Sequence, residues 1–215
     1  ENGAFCISLV SDIIKYNNRI SGNIGICEMP EYTFVEIDEP EDWIIAERLF
    51  LKNNYSLTNY DFSKIKIFLS DVDGVLTDAG MYYTEKGDEI KKFSTYDGMA
   101  FKILQKRGVK VGIITTEDRE LNRNRAQKLS LDFDFHGADD KLKIVKELCK
   151  KLNINLNQVA YIGDDVNCFE LLSNVGFPAC PKNAVEKIKS IPNIIQISQN
   201  GGSGAVREFV EIIIN

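Results

Sequence analysis

Ile65-Lys66-Ile67-Phe68-Leu69-Ser70-Asp71-Val72-Asp73-Gly74-Val75-Leu76-Thr77-Asp78 decides how the rest of the chain is read. The apolar run between Lys64 and Ser70 predicts a buried strand. It delivers Asp71 and Asp73 where that strand ends and Gly74 lets the chain turn. In an open α/β sheet, ligands bind in the crevice outside the carboxyl ends of the strands, so two acids there can share a metal ion and a reacting group. Taken alone, the pattern also fits a turn or helix cap, which Asp beside Gly commonly forms.

Outward from this stretch, strands and helices alternate. Residues 79–93 read as a β-hairpin turning at Glu85-Lys86-Gly87-Asp88, a flap beside the first strand. A helix opens at Thr95-Tyr96-Asp97-Gly98 with Asp97 as N-cap and closes at Arg107-Gly108. A strand over 110–115, a helix over 119–129, a helix from Lys141 to about Leu152 and a strand over 158–162 follow. Strands over 175–179 and 194–197, with a helix between them, and a closing helix over 205–214 complete the series. The pattern predicts an α/β fold with a Rossmann-like, mostly parallel sheet and helices on both faces. The stretches from Asp73 to Thr115 and from Thr115 to Lys141 are filled by these elements, so neither holds a cap domain. An open site follows, with water excluded by a partner subunit or by the substrate.

Residues 1–60 differ in texture and predict a small α/β appendage, set apart from a domain over 61–215. Strands are expected over 5–10 and 33–37, a helix over 40–51, and a polar linker from Asn53 to Asn59. Pro40 suits a first helical turn, and Glu41 and Asp42 suit its positive end.

The balance of 26 Lys and Arg against 32 Asp and Glu gives a net charge of −6 and argues against nucleic acid as the main partner. No apolar run reaches the length of a membrane span and no leader is recognisable, so neither a membrane partner nor secretion is expected. Cys6, Cys27, Cys149, Cys168 and Cys180 are odd in number and lack C-x-x-C spacing, which suits free thiols in the cytoplasm.

Three further stretches follow the opening one in a telling order: Ile113-Ile114-Thr115-Thr116, then Lys141, then Gly163-Asp164-Asp165. With Asp71 and Asp73, they make the chain resemble the haloacid dehalogenase superfamily of phosphotransferases. The resemblance implies Asp71 as the nucleophile and Asp73 as general acid and base. It implies Thr115 and Lys141 on the phosphoryl oxygens, and Mg²⁺ held by Asp71, the backbone oxygen of Asp73, and Asp164. Asp165 would support the metal or Lys141 from behind.

From residue 65 to 214 the chain is similar to the capless branch acting on phosphates of 3-deoxy-2-ulosonic sugar acids. The resemblance rests on Asp71 to Asp78, Asp97-Gly98, Ile162-Gly163-Asp164-Asp165 and Gly201-Gly202-Ser203-Gly204-Ala205-Val206-Arg207-Glu208. It implies a homotetramer whose subunits help cover each other's sites. Octulosonate enzymes of this branch tend to carry Gly-Arg after the motif Thr, whereas nonulosonate enzymes carry Glu at the second place. Thr116-Glu117, with Arg125 and Lys128 on the next helix, matches the nonulosonate type. Thr116, Glu117, Arg125, Lys128, Asp97 and Gly202 are thus the expected substrate contacts, although Lys128 alone reads as a solvated helix face.

Asn2-Gly3-Ala4-Phe5 and the stretch from Val35 to Asp42 resemble the carboxyl-terminal end of an acylneuraminate cytidylyltransferase, with Glu36 and Asp38 matching its metal-holding acids. That family's Gly-rich nucleotide loop is absent, so we expect no nucleotidyl transfer and read the segment as a packing or dimerisation element. Two departures stand out. Cys168 occupies a position usually held by an acid and reads as a helix-face residue, and Thr116 replaces a common Gly. They support an alternative, a weak or inactive phosphatase-like domain serving as the oligomerisation module of a sialic-acid-activating enzyme. His136, the sole histidine, reads as a packing or loop contact.

Overall fold

A computed structural model describes residues 7–25, 28, 34–54 and 60–214, with the side chains of 47, 48 and 50–54 left aside. The chain divides into two compact units, residues 1–59 and 60–215.

The larger unit is built on a six-stranded parallel sheet. Its strands are β1 (Ile67–Ser70), β4 (Lys110–Ile114), β5 (Phe133–Phe135), β6 (Val159–Ile162), β7 (Phe177–Cys180) and β8 (Ile195–Gln196). They lie in the order β5-β4-β1-β6-β7-β8. A separate antiparallel pair, β2 (Tyr82–Tyr83) and β3 (Glu89–Ile90), forms the expected hairpin. The sheet order is that of a doubly wound nucleotide-binding sheet, and its direction of winding reverses between β1 and β6.

β1 is central and every residue of it is buried. Its side chains alternate between two covered faces. Phe68 meets Phe101 edge-on at 5.8 Å and Phe209 at 5.6 Å. Those rings belong to α3 (Thr95–Lys106) and α8 (Ala205–Ile214). Ile67 and Leu69 join Val145, Leu148, Tyr161 and Leu171 in the other core layer. That layer includes α5 (Lys141–Leu152) and α6 (Phe169–Leu172), while α4 (Glu120–Leu129) follows β4 and α7 (Glu186–Lys189) precedes β8. The expected α/β architecture is what the chain adopts. No helix among the described residues is long and apolar enough to cross a membrane.

The cap of α3 differs from the expectation. Ser94 is the N-cap, its hydroxyl accepting from Asp97 N at 3.4 Å. Asp97 instead points away, its Oδ1 accepting from Arg207 N at 2.9 Å in the first turn of α8. Two helices packed on one sheet face thereby share a carboxylate, which satisfies orphan N–H groups of the second rather than the first.

In the smaller unit, α1 (Val10–Tyr16) and α2 (Pro40–Asn54) are helical. The strand expected over 5–10 is not formed where it is described: residues 7–9 carry no regular structure and Val10 opens α1. Residues 34–37 likewise have no regular structure, while Thr33 and residues 1–6 lie outside the described residues. A β-strand is stable only with a partner for its ladder, and among the described residues of this unit none pairs. α2 starts at Pro40 as read and runs on to Asn54, so the linker begins later than expected, with 55–59 outside the described residues. Asp42 Oδ2 accepts from the backbone N–H of Asp38 and Glu39 at 3.1 and 2.9 Å, closing the helix start. Glu36 and Asp38 are exposed.

Burial raises Asp97 above the ordinary carboxylate range, against hydrogen bonds from Arg207, Gly204 and Val206. A raised folded-state value stabilises the protonated form, so the contribution is present at acid pH and lost as pH climbs through that value. Asp97→Ala should lower urea-unfolding stability by about 1–2 kcal/mol through loss of the cap. Asp97→Asn should cost less, and its deficit relative to the wild type should shrink as pH rises.

Candidate active site

The site forms where the sheet winding reverses. Asp71 N donates to Ile162 O at 2.9 Å, so the β1–β6 ladder extends one residue past β1 and fixes the Asp71 backbone beside the end of β6. Val72 N donates to Asp71 Oδ1 at 2.8 Å, leaving Oδ2 for other partners. Lys141, the first residue of α5, puts Nζ 2.5 Å from Asp71 Oδ2, and both residues are buried. A cation at a helix N-terminus is disfavoured by the helix dipole, so the ion pair rather than the helix accounts for this position. The N-cap of α5 is Asp140, which accepts from Lys143 N at 2.9 Å. Burial pulls the Lys141 ammonium down, but the Asp71 charge and hydrogen bond outweigh this and hold it above the usual lysine value.

Asp164 follows β6 and lies over Gly74. A Cβ at Gly74 would sit 1.8 Å from Asp164 Oδ2, and φ there is +77°, so glycine is required on both counts. Burial, then the charges of Asp71 and Asp165, push the Asp164 carboxyl up to about 7. An acid this unwilling to ionise beside another is short of positive charge. Ligand atoms of Asp71, Asp164 and Cys168 lie within 4.8 Å of one another, and the two carboxylates among them suit a hard divalent cation, which takes oxygen ligands.

Cys168 corrects the reading of the sequence. A 3-10 turn over Val166–Cys168 directs its side chain inward, not onto a helix face. Its thiol donates to Asp71 Oδ2 at 2.8 Å, lies 3.4 Å from Lys141 Nζ, and receives the Tyr161 hydroxyl at 3.0 Å. Burial, reinforced by Asp71, pushes the thiol well above its ordinary pKa, so it remains a neutral donor. Asp165 caps the same turn, accepting from Val166 N at 2.6 Å, and is exposed.

Asp73 turns toward the hairpin. Lys91, directly after β3, places Nζ 2.8 Å from Asp73 Oδ1 and 2.5 Å from Glu117 Oε2. Burial raises Asp73, partly offset by Lys91. For Lys91, burial works downward, yet the hydrogen bonds it donates to Asp73 and Glu117 leave its value raised. Thr115 is buried at the end of β4, its hydroxyl accepting from Glu117 N at 3.2 Å. Thr116 is exposed and accepts from Asn167 Nδ2 at 3.1 Å.

The remaining expected contacts divide. Arg125 stacks over Phe93 at 5.2 Å and donates to Ser94 O at 2.8 Å, with Nε buried and unpartnered. Lys128 is exposed. Asp97 is buried and accepts from the start of α8, as described above. Gly202 donates its N–H to Val75 O at 2.9 Å. Its neighbour Gly201 packs so closely that a Cβ would lie 2.0 Å from Gly74 O. Asn183 bridges the two, donating to Gly74 O at 2.9 Å and accepting from Gly201 N at 2.6 Å. His136 is buried beside the Asp134 carboxylate, as a loop contact.

Lys91, Tyr161 and Cys168 were missing from the residues expected here. A tyrosine in an otherwise apolar strand that ends in two acids signals a hydroxyl needing a partner. Glu89 and Lys91, two apart in the hairpin, share a face and signal a charged contact inward.

Comparison with known proteins agrees with this geometry. The haloacid dehalogenase-like hydrolase family matches residues 130–209. The 3-deoxy-D-manno-octulosonate 8-phosphate phosphatase of Yersinia pestis is 33% identical over 153 residues, covering 71% of this chain and 81% of that protein. The corresponding Moraxella catarrhalis enzyme, crystallised with magnesium, phosphate and its sugar acid, superposes with a TM-score of 0.69. It is 34% identical, with 74% of this chain and 89% of that one covered. A cobalt-bound structure of the Haemophilus influenzae enzyme is similar as well, at 30% identity and a TM-score of 0.68, covering 72% of this chain and 90% of that one. N-acylneuraminate cytidylyltransferase A of Danio rerio is 32% identical along 100% of this chain, which spans only 49% of that protein. The chain belongs to the haloacid dehalogenase-like hydrolases, as a relative of the 3-deoxy-D-manno-octulosonate 8-phosphate phosphatases.

Proposed function

We propose that residues 60–215 hydrolyse the phosphate monoester of a 3-deoxy-2-ulosonic sugar acid, through an aspartyl-phosphate intermediate on Asp71. The buried Asp71–Lys141 pair beside Asp164 is the observation that carries this reading. Asp71 attacks phosphorus in line with the leaving alcohol, and Lys141 with the Thr115 hydroxyl neutralises the phosphoryl oxygens. Asp73 gives its proton to the departing alcohol and later takes one from the attacking water. Asp71, the Asp73 backbone oxygen and Asp164 would hold Mg²⁺, which when bound would supply charge compensation for the approach of a carboxylate to a phosphate dianion.

The preferred substrate on this reading is 2-keto-3-deoxynonulosonate 9-phosphate or N-acylneuraminate 9-phosphate rather than the octulosonate. Two features support it: Glu117 at the place where octulosonate enzymes of the branch that the chain resembles tend to carry Arg, and the likeness of the whole chain to an N-acylneuraminate cytidylyltransferase. Glu117 accepts from sugar hydroxyls or an amino group, while Arg125 and Lys128 take the carboxylate. A homotetramer in the cytoplasm fits the open site. The second reading, a catalytically weak domain kept for oligomerisation, draws on Cys168, whose thiol occupies Asp71 Oδ2 where an acid is usual.

Phosphate release from the two nonulosonate 9-phosphates and the octulosonate 8-phosphate, with and without Mg²⁺, tests both. A nonulosonate preference dependent on Mg²⁺ is expected, whereas silence on all three would favour the second reading. Asp71→Asn should abolish turnover and phosphoenzyme while keeping the folded circular dichroism spectrum, at a lowered unfolding midpoint because Lys141 loses its buried charge partner. Because burial and the neighbouring acids push the Asp164 carboxyl up to about 7, cation binding must displace its proton on the acid side of that value. Calorimetric Mg²⁺ affinity should therefore rise from pH 5.5 toward about 7 and level off above it, with proton release only in the lower range. Asp164→Asn should weaken binding and remove most of that slope.

A further inference from the structure

Lys91 lies at the root of a hairpin whose own strands are largely exposed, yet its side chain is 0% accessible. Stripping an ammonium of water costs several kcal/mol unless partners replace the lost hydrogen bonds. Here the partners are Asp73 Oδ1 at 2.8 Å and Glu117 Oε2 at 2.5 Å, with Glu89 Oε1 3.8 Å away. The Thr77 hydroxyl adds a longer contact to the same Asp73 oxygen at 3.4 Å. Asp73 Oδ2 is left buried with no partner. One oxygen of the carboxylate is thus anchored twice while the other is unclaimed, an arrangement that selects one side-chain rotamer.

Resting on the phosphatase reading above, we propose that Lys91 is a positioning residue. By holding Asp73 Oδ1 against the hairpin root it keeps Oδ2 as the oxygen that passes the proton to the leaving alcohol. The same ammonium reaches Glu117, so the acid that serves the leaving group and the residue assigned to the sugar share one anchor. A merely structural staple would join hairpin to sheet without regard to which bond is broken. A positioning role depends on the leaving group. An alkoxide must be protonated as it departs, whereas p-nitrophenolate leaves without a proton.

The test compares kcat/KM, which reports only steps up to departure of the leaving group, for wild type and Lys91→Met on a nonulosonate 9-phosphate and on p-nitrophenyl phosphate. Lys91→Met should lose about 100-fold on the sugar phosphate, the size expected from misplacing a reacting group by an ångström. Its loss on p-nitrophenyl phosphate should be about threefold or less. Equal losses on both substrates, or no loss on either, would overturn the proposal. Wild type silent on both would instead overturn the phosphatase reading, and this inference with it. Should Lys91→Met fail to fold by circular dichroism, Lys91→Arg, which keeps the charge but displaces it, is read by the same ratio. Its loss should be at least tenfold greater on the sugar phosphate, and an unchanged ratio would overturn the proposal.

Discussion

The ion pair between Asp71 and Lys141 is the constraint around which the larger unit is arranged. Both groups are removed from water, and removing one partner of such a pair costs about 3–5 kcal/mol, because the survivor stays charged in a poor solvent. The pair is possible only because β1 and α5 are each held independently. β1 is hydrogen-bonded on both sides, and α5 is fixed by the Asp140 cap and by Val145 and Leu148 in the core. Charge is therefore concentrated by rigid elements rather than by loops. That is the condition for electrostatic catalysis, since nothing need reorganise as charge moves.

Around that pair the site is short of cations. Asp71, Asp73 and Asp164 converge on it with Lys141 and Lys91 as the buried counterions. The neutral thiol of Cys168 relieves part of the crowding at Asp71 by donating a hydrogen bond without adding charge. An acid there would bring further negative charge and a stronger demand for metal. With the thiol there, Asp71 and Asp164 are the acids whose oxygens face one another beside it.

Much of the sheet was legible because buried parallel strands are continuous apolar runs, and those ending in Asp71, Thr115 and Asp164 stand out on that ground alone. α5 and α8 were read to their ends because their apolar residues recur at helical spacing. The site was legible where a strand end announces it. What the sequence hid was contact between distant segments. The choice of Ser94 over Asp97 as cap depends on α8 approaching from far along the chain. The inward turn of Cys168 depends on a 3-10 turn too short to carry periodicity. Lys91 looked like any hairpin lysine until Asp73 and Glu117 closed on it. In residues 1–59, apolar alternation over a few residues suggested strands, but alternation cannot supply the partner that a ladder needs.

The backbone contact of Gly201 with Gly74, clasped by Asn183, bears on how the molecule comes into being. Gly74, in the turn bearing Asp71 and Asp73, is synthesised 109 residues before Asn183, so its carbonyl gains its clasp only when residues 183 and 201 have left the ribosome. Nascent chains halted before residue 183 would carry β1 to β7 without a finished loop at Asp71 and Asp73, so maturation of the centre is timed by a segment far along the chain.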